Sequence, residues 1–300
     1  MQVMHRLLKL KLYSLPQSPR SQWPSAFRRL RALAALVISI SLASVQGTAS
    51  TGTQAAPNPI DDTQTFVTQH YLDFLNRQPD PEGLAFWMDN IDSCGADSAC
   101  KEVKRIDTSA AYFLSIEFQE TGYLVHRFYR ASYGRRPLFT EFLPDTDAIA
   151  DGVVVNSPGW EQRLENNKQM FADAWVARGS FSSIYDLLSN EQYVDTLIAN
   201  TGVPFTVTDR DALVDVLNNE VMTRPQVLRL IAENFDFYNA EYNRAFVEME
   251  YFGYLRRDPD ADGFAFWLGK LNQFGGDYHQ AEMVKSFLVS GEYRQRFGAP

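Results

Sequence analysis

The sequence contains few of the motifs that enzymes commonly use for catalysis. It has no G-x-S-x-G nucleophile elbow, no glycine-rich phosphate loop and no H-E-x-x-H metal pair. Only four of its 300 residues are histidines, and the three beyond residue 50 (His70, His126 and His279) are isolated in sequence. An isolated histidine on a helix is more often a core or surface residue than a catalytic base. We therefore expect a protein without enzymatic activity.

Basic side chains are scarce outside the N-terminal segment. Residues 1–60 contain seven of the 28 lysines and arginines and none of the 37 acidic residues. Residues 61–300 therefore carry 21 basic and 37 acidic side chains, a net charge of −16. A surface this acidic repels phosphate backbones, so we expect no nucleic-acid partner.

Long hydrophobic runs are also absent. The longest candidate, residues 32–45, has 14 residues, whereas a membrane-spanning helix needs about 20. Arginines at positions 28, 29 and 31 precede it and small residues follow it up to Ala49, a pattern typical of a signal peptide over residues 1–49. An uncleaved anchor is the alternative. With the leader cleaved, the protein does not span the membrane, and we expect it to be secreted, periplasmic or at the cell surface.

The two cysteines, Cys94 and Cys100, are separated by only five residues. In an exported chain such a pair favours a disulfide, and free thiols or a metal site are the alternatives. Zinc would need two further ligands, and no histidine lies nearby in sequence. The small ring should stabilise the fold by roughly 2–3 kcal/mol.

The strongest positive feature is a motif that occurs twice. Residues 66–91 read FVTQHYLDFLNRQPDPEGLAFWMDNI, and residues 246–271 read FVEMEYFGYLRRDPDADGFAFWLGKL, with 11 identities in 26 positions. A duplicated supersecondary unit is therefore expected. Arginine, proline, aspartate, glycine and tryptophan recur at equivalent places, which we interpret as structural turn residues: Arg77, Pro79, Asp80, Gly83 and Trp87 in the first copy, and Arg257, Pro259, Asp260, Gly263 and Trp267 in the second.

Apolar spacings of three and four predict an all-α fold, with duplicated three-helix units joined by a helical middle region. Asp80 and Asp260 should cap each second helix, and the third helices are expected over residues 110–118 and 281–293. The first copy should carry a few extra residues between its second and third helices, and these should hold the CGADSAC ring. Residues 135–158 contain three prolines and are expected to be irregular. The predicted divisions are a flexible linker (50–62), a first unit (63–123), a connecting region (124–239) and a second unit (240–300).

The words LNRQPDPEGLAFW and LRRDPDADGFAFW resemble the bacterial domain-of-unknown-function family 4214, over about residues 63–120 and 243–298. Asn76 and Arg256 stand where many members have glycine, so the resemblance does not fix the backbone geometry of the turn at these two positions. The resemblance implies export, a helical architecture and frequent fusion to surface or repeat modules. It implies no catalytic residues.

A calcium site is the main alternative to the structural interpretation of these turns. Asp258, Asp260, Asp262 and Gly263 match the start of an EF-hand loop, but the twelfth position is Gly269. The ligand set is therefore incomplete, and we expect aspartate to cap a helix and arginine to pair with a neighbouring acid. We predict no resident cofactor, with calcium as the weaker alternative.

Together these features favour an exported, non-catalytic binding or scaffold module whose partner is a protein or a surface polysaccharide. Aromatic residues that reach the surface, for instance around Tyr238, Tyr242 and Tyr251, could form its binding site. The alternatives are a calcium-dependent adhesin and a carbohydrate-active enzyme. For the enzyme, Glu117 and Glu292 are candidate carboxylates, although we expect both to cap helices or pair with arginine.

Thermal unfolding of residues 50–300, with and without millimolar calcium, separates the two interpretations of the acidic turns. Ion binding to the folded state would raise the midpoint by several degrees. We expect no shift, because helix caps do not require the ion. The measurement is the circular dichroism of the helices, and a calcium-dependent rise would convert these aspartates from caps into ligands.

Overall fold

The computed structural model describes residues 57–298, so the expected signal peptide (1–49) and most of the expected linker lie outside the described residues. Within that range the chain is helical and contains no strand, which confirms the all-α prediction. The helices are α1 (Thr63–Leu75), α2 (Pro81–Asp92), α3 (Ser98–Leu114), α4 (Ile116–Glu120), α5 (Gly122–Tyr133), α6 (Phe139–Ala150), α7 (Trp160–Val176), α8 (Gly179–Tyr185), α9 (Asn190–Thr201), α10 (Val207–Asn218), α11 (Arg224–Ala232), α12 (Phe235–Glu250), α13 (Ala261–Gln273), α14 (Met283–Leu288) and α15 (Gly291–Gln295).

Two short segments complete the architecture. Pro59–Asp61 form a 3-10 helix, and Tyr251–Leu255 continue α12 as a π-helix. The first of these falls within the predicted flexible linker, which differs from our expectation. Its order has a physical cause, because Ile60 is buried and the Asp61 carboxylate pairs with Arg294 at 2.8 Å.

The duplicated turn has the same backbone geometry in both copies. Asn76 ends α1 with φ 49°, and Arg256 follows the π-helix with φ 55°, so both lie in the left-handed region. Glycine reaches this region most easily, and neither position has one. Here the side chains offer compensation: Asn76 donates to Asp147 of α6 at 2.8 Å, and Arg256 donates to the Asp73 carbonyl of α1 at 3.1 Å.

The third helix of each unit is interrupted, contrary to our expectation of continuous helices over 110–118 and 281–293. Ser115 ends α3 and caps α4 by accepting a hydrogen bond from the Phe118 amide at 3.1 Å. Ser290 does the same for α15 with the Tyr293 amide at 3.2 Å. Residues 115–118 (SIEF) and 290–293 (SGEY) are therefore matching segments, and each begins with a serine that caps a helix.

The extra residues of the first unit lie in α3, and our expectation that they hold the cysteine ring was wrong. Asp97 and Asp277 are 180 positions apart, like the motifs, and each accepts two backbone N–H bonds at 3.0 Å. Ser115 and Ser290 are only 175 apart. Between these two points the first unit therefore has five more residues than the second, and α3 is longer than α14.

The two units pack directly on each other through equivalent elements. Helix α1 contacts the π-helix, and α3 contacts α14. The rings of Phe74 and Tyr254, which occupy equivalent positions, lie 5.0 Å apart. Beside them, a Cβ atom on Gly253 would lie 2.2 Å from Phe74, so only glycine allows this approach.

The connecting region is part of the core. Residues 135–158 were expected to be irregular, yet they contain α6, in which Pro144 is exposed. Proline removes one helical hydrogen bond. Burial of Phe142 and Ile149 offsets that cost, and the Glu141 carboxylate accepts the Leu138 amide at 2.8 Å to cap the first turn.

Within residues 57–298, none of the helices is both long and apolar enough to cross a membrane.

Gly263→Ala should destabilise the protein by about 1–3 kcal/mol, the usual cost of overpacking. A Cβ atom there would lie 2.2 Å from the Tyr251 hydroxyl. Adding Tyr251→Phe removes that oxygen and should restore much of the loss. The measurement is urea unfolding of the single and double variants.

Gly269→Ala is the matched control, because it lies on the same helix and a Cβ atom there has nothing within 4 Å. It should stabilise by about 0.5–1 kcal/mol through helix propensity alone. Equal stability of the Gly263 and Gly269 variants would contradict the steric argument.

Candidate functional site

In the first unit, the turn residues form one cluster around a guanidinium group. Arg77 donates to both oxygens of Glu117 at 2.7 and 2.8 Å, and it lies 3.5 Å from Asp80 and 4.9 Å from the Tyr71 ring centre. These bonds with Glu117 raise the pKa of Arg77. The Asp80 carboxylate accepts the Gly83 amide at 2.7 Å, and this bond lowers the pKa of Asp80.

The second unit repeats the cluster with the same roles. Arg257 donates to Glu292 at 2.6 and 3.0 Å and lies over the Tyr251 ring at 5.3 Å. Asp260 accepts the Gly263 amide at 2.7 Å. Pro79 and Pro259 each immediately precede the capping aspartate, whose own backbone is extended. The arrangement joins three helices of each unit, and it places Glu117 and Glu292 as partners of arginine.

The three aspartates considered as calcium ligands have different surroundings. Asp258 accepts the Phe139 amide of α6 at 2.7 Å, whereas Asp260 caps α13. Asp262 is exposed in the first turn of the same helix. Among the described residues, no group of three or more histidine, cysteine or acidic side chains has the arrangement of a metal site. Two of the three carboxylates are already engaged with backbone amides.

Cys94 and Cys100 form a disulfide. It links the loop after α2 to the first turn of α3. The second unit has Phe274 and Gln280 at the equivalent positions, so this covalent link belongs to the first unit alone.

Each unit presents an exposed phenylalanine beside the motif tryptophan. Phe86 is 62% exposed and Phe266 is 56% exposed. In both copies the two rings meet edge to face with centres 4.9 Å apart, and Trp87 and Trp267 are half-buried against the core. The duplicated surface feature is therefore a rigid aromatic pair on α2 and on α13.

The tyrosines proposed from sequence as surface aromatics are less accessible than these phenylalanines. Tyr251 is buried. Tyr238 and Tyr242 are half-buried, and Tyr238 hydrogen-bonds to Gln119. Burial raises the pKa of all three phenols. Sequence could not separate these cases, because an aromatic in a helical stripe has the same pattern whether or not another helix covers it.

A buried serine–histidine pair lies where the two units meet. The Nε2 atom of His70 is 2.7 Å from the Ser109 hydroxyl, which also bonds to Tyr254, and Nδ1 is 2.8 Å from the Phe66 carbonyl. Burial lowers the pKa of His70 to about 3, so the ring is neutral. Since His70 and Ser109 are almost completely inaccessible, no substrate reaches this pair, and it serves as a core hydrogen-bond network.

A second buried histidine joins the connecting region to the second unit. His126 of α5 lies 2.5 Å from Glu248 and 2.9 Å from Glu241 of α12, and Arg130 also donates to Glu241 at 3.1 Å. Burial disfavours the charged imidazole, but the two carboxylates outweigh it, so the pKa of His126 is raised. Desolvation opposes ionisation of Glu241 as well, but hydrogen bonding to His126 and the nearby cations lower its pKa.

Neither histidine cluster could be identified from sequence. The partners of His126 lie 115 and 122 positions away, and Ser109 lies 39 positions from His70. The only available signal was polar residues on otherwise apolar helical faces.

Two segments of the chain, residues 54–100 and 232–297, match the model of the family described as Domain of unknown function (DUF4214). The first match ends in α3 and the second covers almost the whole second unit, so the two copies expected from the turn motifs are confirmed. Neither a comparison with curated proteins nor one with solved structures returned a match.

His126 should make stability depend on pH in a defined direction. Its folded-state pKa lies above the ordinary value of 6.5. Its stabilisation is therefore complete below pH 6.5 and lost as pH rises through the folded-state pKa. Glu241, with a lowered pKa, loses its stabilisation as pH falls below about 4.5. We expect this cluster to favour the fold most between these limits.

The measurement is urea unfolding of the wild type, His126→Gln and His279→Gln from pH 4 to 9. His126→Gln should cost about 3–5 kcal/mol, because it leaves the buried Glu248 carboxylate without a cationic partner, and should abolish the decline above pH 6.5. His279 pairs with Asp107 in an exposed position, so its variant should change stability by less than about 1 kcal/mol. A decline that persists in His126→Gln would contradict the assignment.

Proposed function

We propose that this protein, which carries two segments of the DUF4214 family, is an exported, non-catalytic helical binding module with two equivalent docking sites. The observation that carries the proposal is the repeated exposure of a phenylalanine against a half-buried tryptophan, at Phe86 and Phe266. A single exposed apolar residue is common on protein surfaces. The repetition of the same ring beside the same tryptophan in both units supports a contact site here.

The local structure suits recognition. Each phenylalanine lies on a helix whose start is held by an aspartate cap, and the tryptophan edge supports its ring. Exposed alanines, Ala85 and Ala265, precede the two rings and leave space around them. An aromatic side chain held in this way loses little conformational freedom on binding.

A protein is the favoured partner. Phenylalanine has no polar atom with which to bond sugar hydroxyls, whereas aromatic side chains are enriched at the centres of protein interfaces. The rings would insert into apolar pockets of the partner. A surface polysaccharide is the alternative occupant.

Two sites on one body would raise the apparent affinity. When a partner offers repeated pockets, the second contact becomes intramolecular, and the gain can reach about 10²–10⁴-fold. The direct packing of the two units supports this, because it holds the two sites in one rigid relation.

The export part of the proposal rests on the N-terminal sequence and on the disulfide. A basic stretch, a 14-residue apolar run and small residues up to Ala49 fit a cleaved leader. The Cys94–Cys100 bond fits an oxidising compartment.

The experiment begins with the full-length chain, tagged at its C-terminus and expressed in a bacterium that carries it. Intact mass spectrometry of the extracellular and periplasmic fractions should give a mature N-terminus near residue 50. A full-length mass confined to the cytoplasm would contradict export without bearing on the docking sites.

The tagged protein then captures partners from the envelope fraction, and binding of each identified species is measured with Phe86→Ala, Phe266→Ala and the double variant. Removing one anchor should weaken binding at least tenfold, and removing both should abolish it. Leu187→Ala is the control, since this leucine is 99% exposed and lies outside both sites.

Wild-type binding by the double variant, or an equal effect of Leu187→Ala, would overturn the docking sites. Capture that survives protease digestion of the extract but is lost on glycosidase digestion would replace the protein partner with a polysaccharide.

A further inference from the structure

A cavity of about 290 Å³ lies between the two units, away from the exposed aromatic pairs. Its walls come from the 3-10 helix, the end of α2, α3, α14 and α15. Small-molecule sites in proteins usually measure about 300–1,000 Å³, so this cavity suits a small ligand.

One wall of the cavity is apolar. Ile60, Ile91 and Ile106 line it and are themselves buried in the core, and Leu288 extends the wall on the side of the second unit. An aliphatic or aromatic group placed there would be removed from water without leaving a polar group of the wall unbonded. This wall favours a ligand with an apolar body.

The charged side chains of the lining are net positive, in a protein that is acidic overall. Four basic residues line the cavity, against only Asp61 and Glu102. Those two acids are already paired, Asp61 with Arg294 at 2.8 Å and Glu102 with Lys285 at 2.5 Å. Two positive charges therefore remain without a carboxylate bound to them.

The first uncompensated charge is Arg105. Its guanidinium donates to the carbonyls of Ile60 at 2.6 Å and Asp61 at 3.2 Å and stacks on the Phe66 ring at 3.8 Å. These partners are neutral, and burial lowers the pKa of Arg105. The contacts fix the group in position and leave its charge unneutralised by any direct ion pair, although the Asp61 carboxylate acts on it at longer range.

The second uncompensated charge is Lys101, one helical turn before Arg105 on α3. It is half-buried, and its ammonium has no hydrogen bond or ion pair to any residue within 57–298. Tyr293 lines the same cavity, is 1% exposed, and its hydroxyl likewise finds no hydrogen-bond partner in the described part of the chain. Buried hydroxyl groups are normally bonded, so this one is available to a ligand.

We infer that this cavity binds a small organic monocarboxylate, with the carboxylate held by Lys101, Arg105 and the Tyr293 hydroxyl and the apolar body on the isoleucine wall. The ammonium and the hydroxyl are donors, which matches a ligand that only accepts hydrogen bonds. Because both units line the cavity, the ligand would also stabilise their contact.

The test uses hexanoate as the probe, with hexanol and hexylamine as uncharged and cationic analogues of the same length, on the mature chain at constant ionic strength. Binding is followed by calorimetry and by NMR shifts of the isoleucine methyl groups. Hexanoate should shift the Ile91 and Ile106 signals and raise the unfolding midpoint, and it should bind at least tenfold more tightly than either analogue.

Lys101→Gln should weaken hexanoate binding at least tenfold, because it removes a charge-assisted hydrogen bond. Lys104→Gln is the matched control: it removes a positive charge three residues away on α3, but Lys104 bonds to Asn90 and does not line the cavity. Its affinity should be that of the wild type.

Tyr293→Phe supplies a second, independent variant. Removing an unpartnered buried hydroxyl should leave stability unchanged or improve it, yet it should weaken hexanoate binding. Loss of binding without loss of stability would separate a ligand role from a structural one.

Three results would each overturn the inference: no shift of the cavity methyl signals, equal binding of hexanoate and hexanol, or equal effects of Lys101→Gln and Lys104→Gln. None of these bears on the phenylalanine docking sites, whose test uses a different surface and different variants.

Discussion

The close approach of Phe74 to Gly253 is the contact on which the rest of the structure depends. It brings α1 against the π-helix, and beside it two arginines of the second unit reach across to the first: Arg256 and Arg296 both approach the Asp73 carboxylate, at 3.7 and 2.7 Å. The pairing of α3 with α14, and the cavity between them, follow from the same approach. A side chain at position 253 would separate the units and remove all of these features together.

The connecting region contributes to this body through apolar packing and through buried charge. Phe128, Phe171 and Trp175 form an aromatic cluster with ring centres 5.1–5.5 Å apart, and such burial supplies most of the stability. The ion pairs of His126 add less net free energy, because desolvation offsets the attraction. These hydrogen bonds between the imidazole of α5 and the carboxylates of α12 instead fix the position of one helix against the other.

The sequence was informative where one local rule decides the structure. The aspartate caps of α2 and α13 depend on residues within a few positions, and pattern reasoning reaches them. It did not reach α6, where tertiary burial of Phe142 outweighs an interior proline. It also did not reach the exposed phenylalanines, the histidine clusters or the cavity, because each depends on helices that are distant in sequence. Whether another helix covers a given helical face is decided only when the whole chain has folded.

The contact between equivalent positions of the two units determines how far the two copies can differ. Two copies that touch through the same patch form an isologous contact, the geometry of a two-fold symmetric dimer. In a dimer of identical chains, both partners must carry the same residue at such a position. Two copies in one polypeptide are free of that restriction, so the first can carry aspartate at 73 where the second carries glycine at the equivalent position 253. Each half of the contact surface can therefore differ: the first unit uses position 73 for a carboxylate that pairs with Arg296, and the second uses position 253 for close packing against Phe74.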